Sequence, residues 1–489
     1  MLANFIILQI ITPLAAGLLA FVSPRRFSWI IAAIAGGLTL AISLLIFQKI
    51  LNSQEAIYYH LGGWSATLGI EYKIDKLNSF FMLLISLVSA FNIIAMKDLI
   101  NHELNPEKFN LFFGNLLIAL AGLLGICISN DIFNIYVMLE INAIASYALV
   151  ASGKREESTK AAFDYLIFGT IGSTMILLGI GFIYSLVGSL NLSIISDTMP
   201  SSIDNNAIKA GIFLIIFGIL MKAALFPFGS WLAKIYQGAP SFISSMLASS
   251  SNKVAIYLLI RFFFQVFKLK EYNFAYLDIT LLLFSVYAIF SCSILAYKQT
   301  NIKKFLAYSS FSQIGFIVFA LAIANKAAIS GLLIYCFTHA LEKTMLFLAV
   351  GYLAIALQSE ELDSFAGIRK KYPWLCILIV INLLSNIGVP FTAGFVGKWQ
   401  LLKASLATDL WCILIILIAS IFSFVYAFKL IDLMIFEKTD QQPAEVKQIN
   451  GKLCLISLTL ITMINIYIGV NNQWILDFTN QVSQLLLLK

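Results

Sequence analysis

Six ionisable side chains lie where a bilayer makes them expensive. Glu140, Lys222, Lys253, His339, Lys343 and Lys398 all fall inside long apolar runs or at their edges. A charge at the centre of a membrane helix costs ~2.5–3.5 kcal/mol on insertion scales and more in simulations, so such residues are rare and face a polar interior. Amines, imidazoles and carboxylates at that depth can take up and release protons, and burial together with neighbouring charge sets how tightly each holds one. The chemistry these six offer is a proton relay.

Their spacing sharpens that reading. Glu140 follows Asp131, the expected start of its span, by nine residues, which at the helical rise places it about 13 Å deep. Lys222 follows Lys209 by thirteen residues, or about 20 Å. Opposite charges at mid-depth are cheapest when paired, and a glutamate that moves toward or away from the lysine would make the lysine take up or release a proton. A purely structural ion pair is the alternative. Lys253 sits in SSMLASSSNKVAIY, where Ser244, Ser245, Ser249, Ser250, Ser251 and Asn252 make a hydroxyl-rich setting suited to a water-filled half-channel. Close helix packing also favours serine and accounts for part of that run.

His339 and Lys343 are four residues apart and project from one helical face, close enough to exchange a proton through one water. Glu342 lies three residues after His339 as a further intramembrane charge able to neutralise Lys343. A His-x-x-Glu pair can bind metal in di-iron bundles, but no second such motif exists in the chain, so no metal site is expected. Lys398 follows a break at Gly388, Pro390 and Gly394 and is placed as the terminal donor or acceptor toward the outer face.

The elements that must hold these groups are membrane helices. The chain has 489 residues, 60% of them hydrophobic and 12% charged, against about 25% charged in soluble domains. At about 20 apolar residues per crossing, roughly 14 spans are expected, near 5–22, 28–48, 77–96, 110–128, 132–152, 162–187, 209–232, 240–266, 275–296, 304–323, 328–356, 373–404, 408–436 and 453–471. Two of these carry Pro-Phe late in the run followed by glycine and tryptophan, KAALFPFGSW around Pro227 and NIGVPFTAGFVGKW around Gly388 and Pro390. Proline removes a helix hydrogen bond, so helices 7 and 12 are predicted to be broken. Paired discontinuous helices in two halves of a chain point to repeats and to the transport site.

No soluble domain interrupts the pattern: 49–76, 188–208 and 437–452 are polar connections, and 440–451 reads as a solvated loop. The first run lacks a basic leader and continues into a second span, so it is expected to be a retained helix. The six scattered cysteines, Cys127, Cys292, Cys336, Cys376, Cys412 and Cys454, read as packing residues. The net charge of +7 comes without a basic run, so nucleic acid is not an expected partner. With the N-terminus outside, the cytoplasmic loops hold about 18 lysines and arginines, Lys303, Lys438 and Lys447 among them, against about 10 on the other side. The positive-inside rule then puts both termini outward. There is no GxGxxG, Walker loop or CxxC, so no cofactor is expected and energy must come from an ion gradient or a partner.

Several segments together resemble the proton-translocating antiporter-like family shared by Mrp-type multisubunit cation/proton antiporters and the antiporter-like subunits of respiratory complex I. The resemblance runs from IDKLNSFF at Ile74 to Lys398 and beyond, through IYVMLEINAIASYALVASG, GILMKAALFPFGSWL, APSFISSMLASSSNKVAIY, KKFLAYSSFSQIGF, FTHALEKTMLFL and GVPFTAGFVGKW. It implies an all-α integral membrane fold of about 14 helices in one polytopic domain, 1–489, with two inverted five-helix repeats at about 110–266 and 275–436. It implies that Glu140 and Lys222 pair in a first half-channel, that Lys253 is the central lysine, that His339 and Lys343 connect, and that Lys398 gates the second half-channel.

The function it implies is proton translocation within a multisubunit Na+/proton antiporter in the cell membrane, with other membrane subunits as partners. The alternative is a proton-pumping membrane subunit of complex I. The chain is expected to carry no long lateral helix of the kind the largest complex I subunit has, and Lys398 in place of an acid disfavours another complex I subunit; the D-type antiporter chain, which is favoured, and the smallest antiporter-like subunit of complex I remain. Two departures stand out. Tyr236 replaces a histidine that many members carry before Ala-Pro, and Glu342 within HALEK puts in doubt how freely Lys343 carries a proton.

Overall fold

The computed structural model describes residues 2–53, 55–272, 275–437 and 451–487. The chain begins with α1 (Leu2–Val22), α2 (Arg25–Asn52), a hairpin of β1 (Ile57–His60) and β2 (Glu71–Ile74), and α3 (Lys76–Glu103). It continues through α4 (Phe109–Ile128), α5 (Ile132–Ala151), α6 (Glu156–Val187), a short α7 (Leu192–Ser202) and α8 (Asn206–Lys222). After a non-helical stretch, 223–231, come α9 (Leu232–Gly238), α10 (Ser241–Met246), α11 (Asn252–Ile260) and α12 (Ala275–Lys298). The rest is α13 (Ile302–Ile323), α14 (Lys326–Leu357), α15 (Pro373–Ile387), α16 (Ala393–Leu406), α17 (Leu410–Ile435), α18 (Lys452–Val470) and α19 (Gln473–Leu487).

Among the described residues, 12 helical stretches are long and apolar enough to cross a membrane. The interrupted pairs α8 with α9 and α15 with α16 make up the remaining two of the fourteen runs. The chain is a multi-pass membrane protein.

Two compact units emerge. The first comprises residues 1–93, 104–223 and 250–274, the second 94–103, 224–249 and 275–489. Within the first unit α4 packs on α1 and α5, and α8 packs on α6 and α11. The α6–α8 contact is backbone to backbone: a Cβ added at Gly179 would stand 2.7 Å from the Gly211 carbonyl oxygen, and one at Gly218 would stand 2.7 Å from that of Gly172. Lipid supplies no hydrophobic drive between helices, so close approach through small residues is what holds such a pair. Within the second unit α13 packs on α12 and α14, and α14 on α16 and α19.

Helix starts follow local capping chemistry. The Asp131, Asn301 and Asn325 side chains accept hydrogen bonds from backbone N–H groups of the first turns of α5, α13 and α14, replacing partners that a helix start lacks. The connection 49–76, expected as a polar connection, holds the hairpin, in register from Ile57 opposite Ile74 to His60 opposite Glu71. Its strands are too short, and its loop too glycine-rich, to stand out beside twenty-residue apolar runs. The buried Glu71 anchors it, accepting from Asn130 Nδ2 at 2.7 Å and Asn191 Nδ2 at 3.0 Å. The connection 188–208 likewise contains α7. The six cysteines are buried, and none forms a disulfide among the described residues. The expected loop 440–451 lies, but for Gly451, outside the described residues, as do Lys438 and Lys447.

Candidate functional site

In the first unit the acid and two of the amines stand on packed helices. Glu140 is set by α5, which is held against α4 because Gly122 has no side chain: a Cβ there would stand 2.9 Å from the Asn142 nitrogen and from the Met138 oxygen. Glu140 Oε1 is buried and has no hydrogen-bond partner among the described residues. Lys222 is the last residue of α8, and its Cγ would lie 3.6 Å from a Cβ on Gly172. Glu140 is the charged group that acts on the Lys222 amine, across space and without a direct ion pair among the described residues. The two charges are thus opposed without touching. This leaves the carboxylate oxygen open, which a purely structural bridge would not do. The C-terminal end of a helix carries partial negative charge, so the position of Lys222 suits its ammonium form.

Lys253 is fully buried on α11, which packs on α8. The eighth span around it is irregular: a π-helical turn at Leu247–Ser251 leads into α11 and another at Arg261–Val266 follows it. Such turns are uncommon and concentrate at functional sites. Ser249, Ser250 and Ser251 have hydroxyl oxygens that are buried without a hydrogen-bond partner among the described residues. Ser244, in contrast, donates to the Tyr236 carbonyl at 2.7 Å. The serine run is therefore divided between bonded hydroxyls and open ones. Tyr236 is fully buried, edge-on to Phe347 at 5.5 Å.

In the second unit α14 carries a stripe of polar groups facing α13. His339 Nε2 lies 3.2 Å from Ser310 Oγ, and Lys343 Nζ donates to Ser309 Oγ at 2.7 Å. All are buried. Lys398, on α16, reaches back over the break and donates to the Ile387 carbonyl at the end of α15, 2.9 Å away, while standing 4.9 Å from the Phe316 ring centre. Both the capped carbonyl end of α15 and the ring face favour a cation. Gly388 turns the chain there with φ +94°, and a Cβ on it would meet Lys398 Cδ at 2.9 Å. The N-terminal groups of α16 are satisfied across the break, Ala393 N–H by Asn465 Oδ1 at 3.2 Å and Gly394 N–H by Ser385 Oγ at 3.1 Å. Pro227 and Pro390 fall in the non-helical stretches of the two interruptions, as the sequence predicts.

Two further charged groups escaped the sequence reading. Arg261 is buried, donating to Ser129 O and Asn130 Oδ1, each at 2.8 Å, and to the Tyr257 hydroxyl at 2.6 Å. Lys303, expected in a cytoplasmic loop, is fully buried; its Nζ lies 3.0 Å from Glu360 Oε1 and 4.0 Å from Glu103 Oε1, and it donates to Ala239 O at 3.0 Å. Ser241 donates twice to the same Glu103. Breaking a buried pair from one side leaves a charge uncompensated, at a cost of about 3–5 kcal/mol. Lys303→Met is expected to lower the thermal unfolding temperature of the purified chain, and adding Glu360→Gln to that variant is expected to recover part of the loss. Equal unfolding temperatures for wild type and Lys303→Met would show the cluster to be energetically idle.

Interrupted helices, with amines at or beside their ends and further charged groups buried between helices, define a polytopic membrane protein with a charged helical interior. The family described as NADH:quinone oxidoreductase/Mrp antiporter, TM, matches residues 129–423, and the chain belongs to that family. It is 33% identical over 438 residues to the N subunit of the NADH-quinone oxidoreductase of Desulforudis audaxviator, covering 88% of this chain and 86% of that one. It is 25% identical over 489 residues to the D subunit of the Na(+)/H(+) antiporter of Bacillus subtilis, covering 99% and 97%. Among solved structures, a chain of the membrane-bound sulfane sulfur reductase, an archaeal respiratory membrane complex, superposes with a TM-score of 0.89 at 27% identity, covering 99% of this chain and 97% of that one.

Proposed function

We propose that this chain is a proton-translocating subunit of a multisubunit monovalent cation/proton antiporter, with Na+ as the exchanged cation. The protons move along Glu140, Lys222, Lys253, His339, Lys343 and Lys398. The single observation that carries this reading is the placing of Lys222 and Lys398, each beside the C-terminal end of an interrupted helix and each facing a buried carboxylate that it does not bind directly. An amine so placed is held by dipole and field, and it can lose or gain a proton without breaking a contact bridge. The buried Glu140 Oε1 and, separately, the Ser250 and Ser251 hydroxyls, each without a partner among the described residues, are groups that water can satisfy. The accompanying proposals are two inverted repeats, at about 110–266 and 275–436, both termini on the outer side, and other membrane subunits as partners.

The second reading is a redox-driven proton pump of the complex I kind, supported by the relative that is the N subunit of an NADH-quinone oxidoreductase. Everted membrane vesicles carrying the chain with the rest of its assembly separate the two. In the antiporter reading, added NaCl collapses a preformed pH gradient; in the redox reading, an electron donor builds the gradient and NaCl leaves it intact. Vesicles that do neither would sink both readings and leave a structural subunit.

A further inference from the structure

The second unit holds one carboxylate that the six-residue relay leaves out. Glu342 is 2% exposed, and its Oε1 has no hydrogen-bond partner among the described residues. Ser385 and Asn465 stand against its carboxyl group, and the two charges that act on it are the amines of Lys343 and Lys398. Lys398 in turn has Glu342 as its acidic neighbour. Helix geometry explains the meeting. Gly397, beside Lys398, lets α16 lie directly on Tyr335, where a Cβ would come within 3.0 Å of the ring. Glu342 follows Tyr335 by seven residues, two turns along the same face of α14. The α14 face that meets the broken helix thus carries the acid, while Ser309 binds Lys343 from α13.

The surroundings are poor in partners but rich in polar atoms. Tyr335 OH, both side-chain polar atoms of Gln313, Asn386 Nδ2 and Asn465 Nδ2 are buried without a hydrogen-bond partner among the described residues, like Glu342 Oε1. Tyr335 and Tyr426 both feel the Glu342 charge, and Tyr426 donates to Asn386 Oδ1 at 2.8 Å. Left dry, a cluster of this kind would forfeit a hydrogen bond at each of these atoms; water filling it would satisfy them and surround one acid and two amines.

We propose that Glu342 is a proton-carrying station between Lys343 and Lys398. The inference rests on the proton-conduit reading above and adds a residue to it. The trio shares one proton at net charge zero. Starting with Lys343 as ammonium, Glu342 as carboxylate and Lys398 as neutral amine, the proton passes to the carboxylate, giving a neutral acid between two neutral amines. The acid then protonates Lys398 and returns to carboxylate. The titratable groups facing Glu342 are Lys343, Lys398, Tyr335 and Tyr426, and the tyrosines supply hydroxyls without adding charge. Glu342 therefore hands the proton on, where a carboxylate beside Lys343 alone would trap it.

Two measurements test this. In everted vesicles carrying the whole assembly, Glu342→Gln is expected to reduce proton flux about 10-fold to 100-fold, and Glu342→Asp, still titratable, is expected to retain most of the flux with a shifted pH profile. In infrared difference spectra of the purified full chain, a carboxylic acid C=O band that grows as pH falls is expected to vanish in Glu342→Gln and to change its midpoint in Lys398→Met. Glu342→Gln vesicles with wild-type flux and pH profile would overturn the inference. So would infrared titrations in which Glu342→Gln superposes on wild type, a readout that stands even if the variant lowers assembly. Lys222→Arg vesicles serve as the reference: if they are inactive while Glu342→Gln is active, only the inference fails, whereas full flux in both removes the conduit reading itself.

Discussion

Lys222→Arg is expected to slow proton movement by about 100-fold or more in a protein that remains folded. The argument turns on what arginine keeps and what it loses. The guanidinium keeps the positive charge opposite Glu140 and the attraction to the C-terminal end of α8, but it does not give up its proton in a protein. If Lys222 were only a counter-charge, arginine would serve nearly as well, since both interactions depend on charge. If Lys222 passes a proton on, arginine blocks the path with the electrostatics left in place. The measurement is decay of an imposed pH gradient in everted vesicles, with the amount of assembled protein checked by size-exclusion chromatography. Flux within twofold of wild type, at equal assembly, would end the case for Lys222 as a carrier.

Lys398→Met is expected to have a comparable effect, about 100-fold, for a different reason. Methionine fills much of the same space beside Phe316 and Gly388, so the break between α15 and α16 keeps its packing. What goes is the amine that donates to the Ile387 carbonyl and that faces Glu342. The carboxylate then loses its acceptor across the helix break, and a proton arriving from the Lys343 side has no onward base. The same gradient assay reads it, together with thermal unfolding as a check on the fold. A variant that unfolds as wild type does and still conducts at half the wild-type rate would place Lys398 outside the path.

Much of this architecture was legible in the sequence because lipid imposes a coarse and strict rule: backbone polar groups must be satisfied within the segment, so crossings are long apolar helices. The fourteen runs follow from that rule directly, and the interruptions around Pro227 and Gly388 from the hydrogen bond that proline removes. The hairpin of β1 and β2 did not follow, since four-residue strands such as Glu71–Ile74 carry too little pattern to register. The candidate residues were legible one at a time, as charges in apolar surroundings, but their partners were not. Lys303 reads as a loop residue because it stands at a helix start. Only the fold brings Glu103 and Glu360 to it from positions far apart in the chain. Glu342 was visible as an oddity next to Lys343, and the sequence could not reveal that Lys398 faces it across a helix break. Arg261 lay hidden among phenylalanines, with only its charge to mark it.

The glycine seam between α6 and α8 constrains timing. With the two backbones so close at two levels that an added Cβ would stand 2.7 Å from a carbonyl oxygen, tight packing opposes sliding or tilting of the pair, and the amine that ends α8 travels chiefly by its own four side-chain torsions. Rotation about such bonds takes picoseconds to nanoseconds, whereas rocking of whole helix bundles takes microseconds to milliseconds. The step at that lysine should consequently be paced by water and torsion, and a slow phase in turnover would have to originate elsewhere in the assembly.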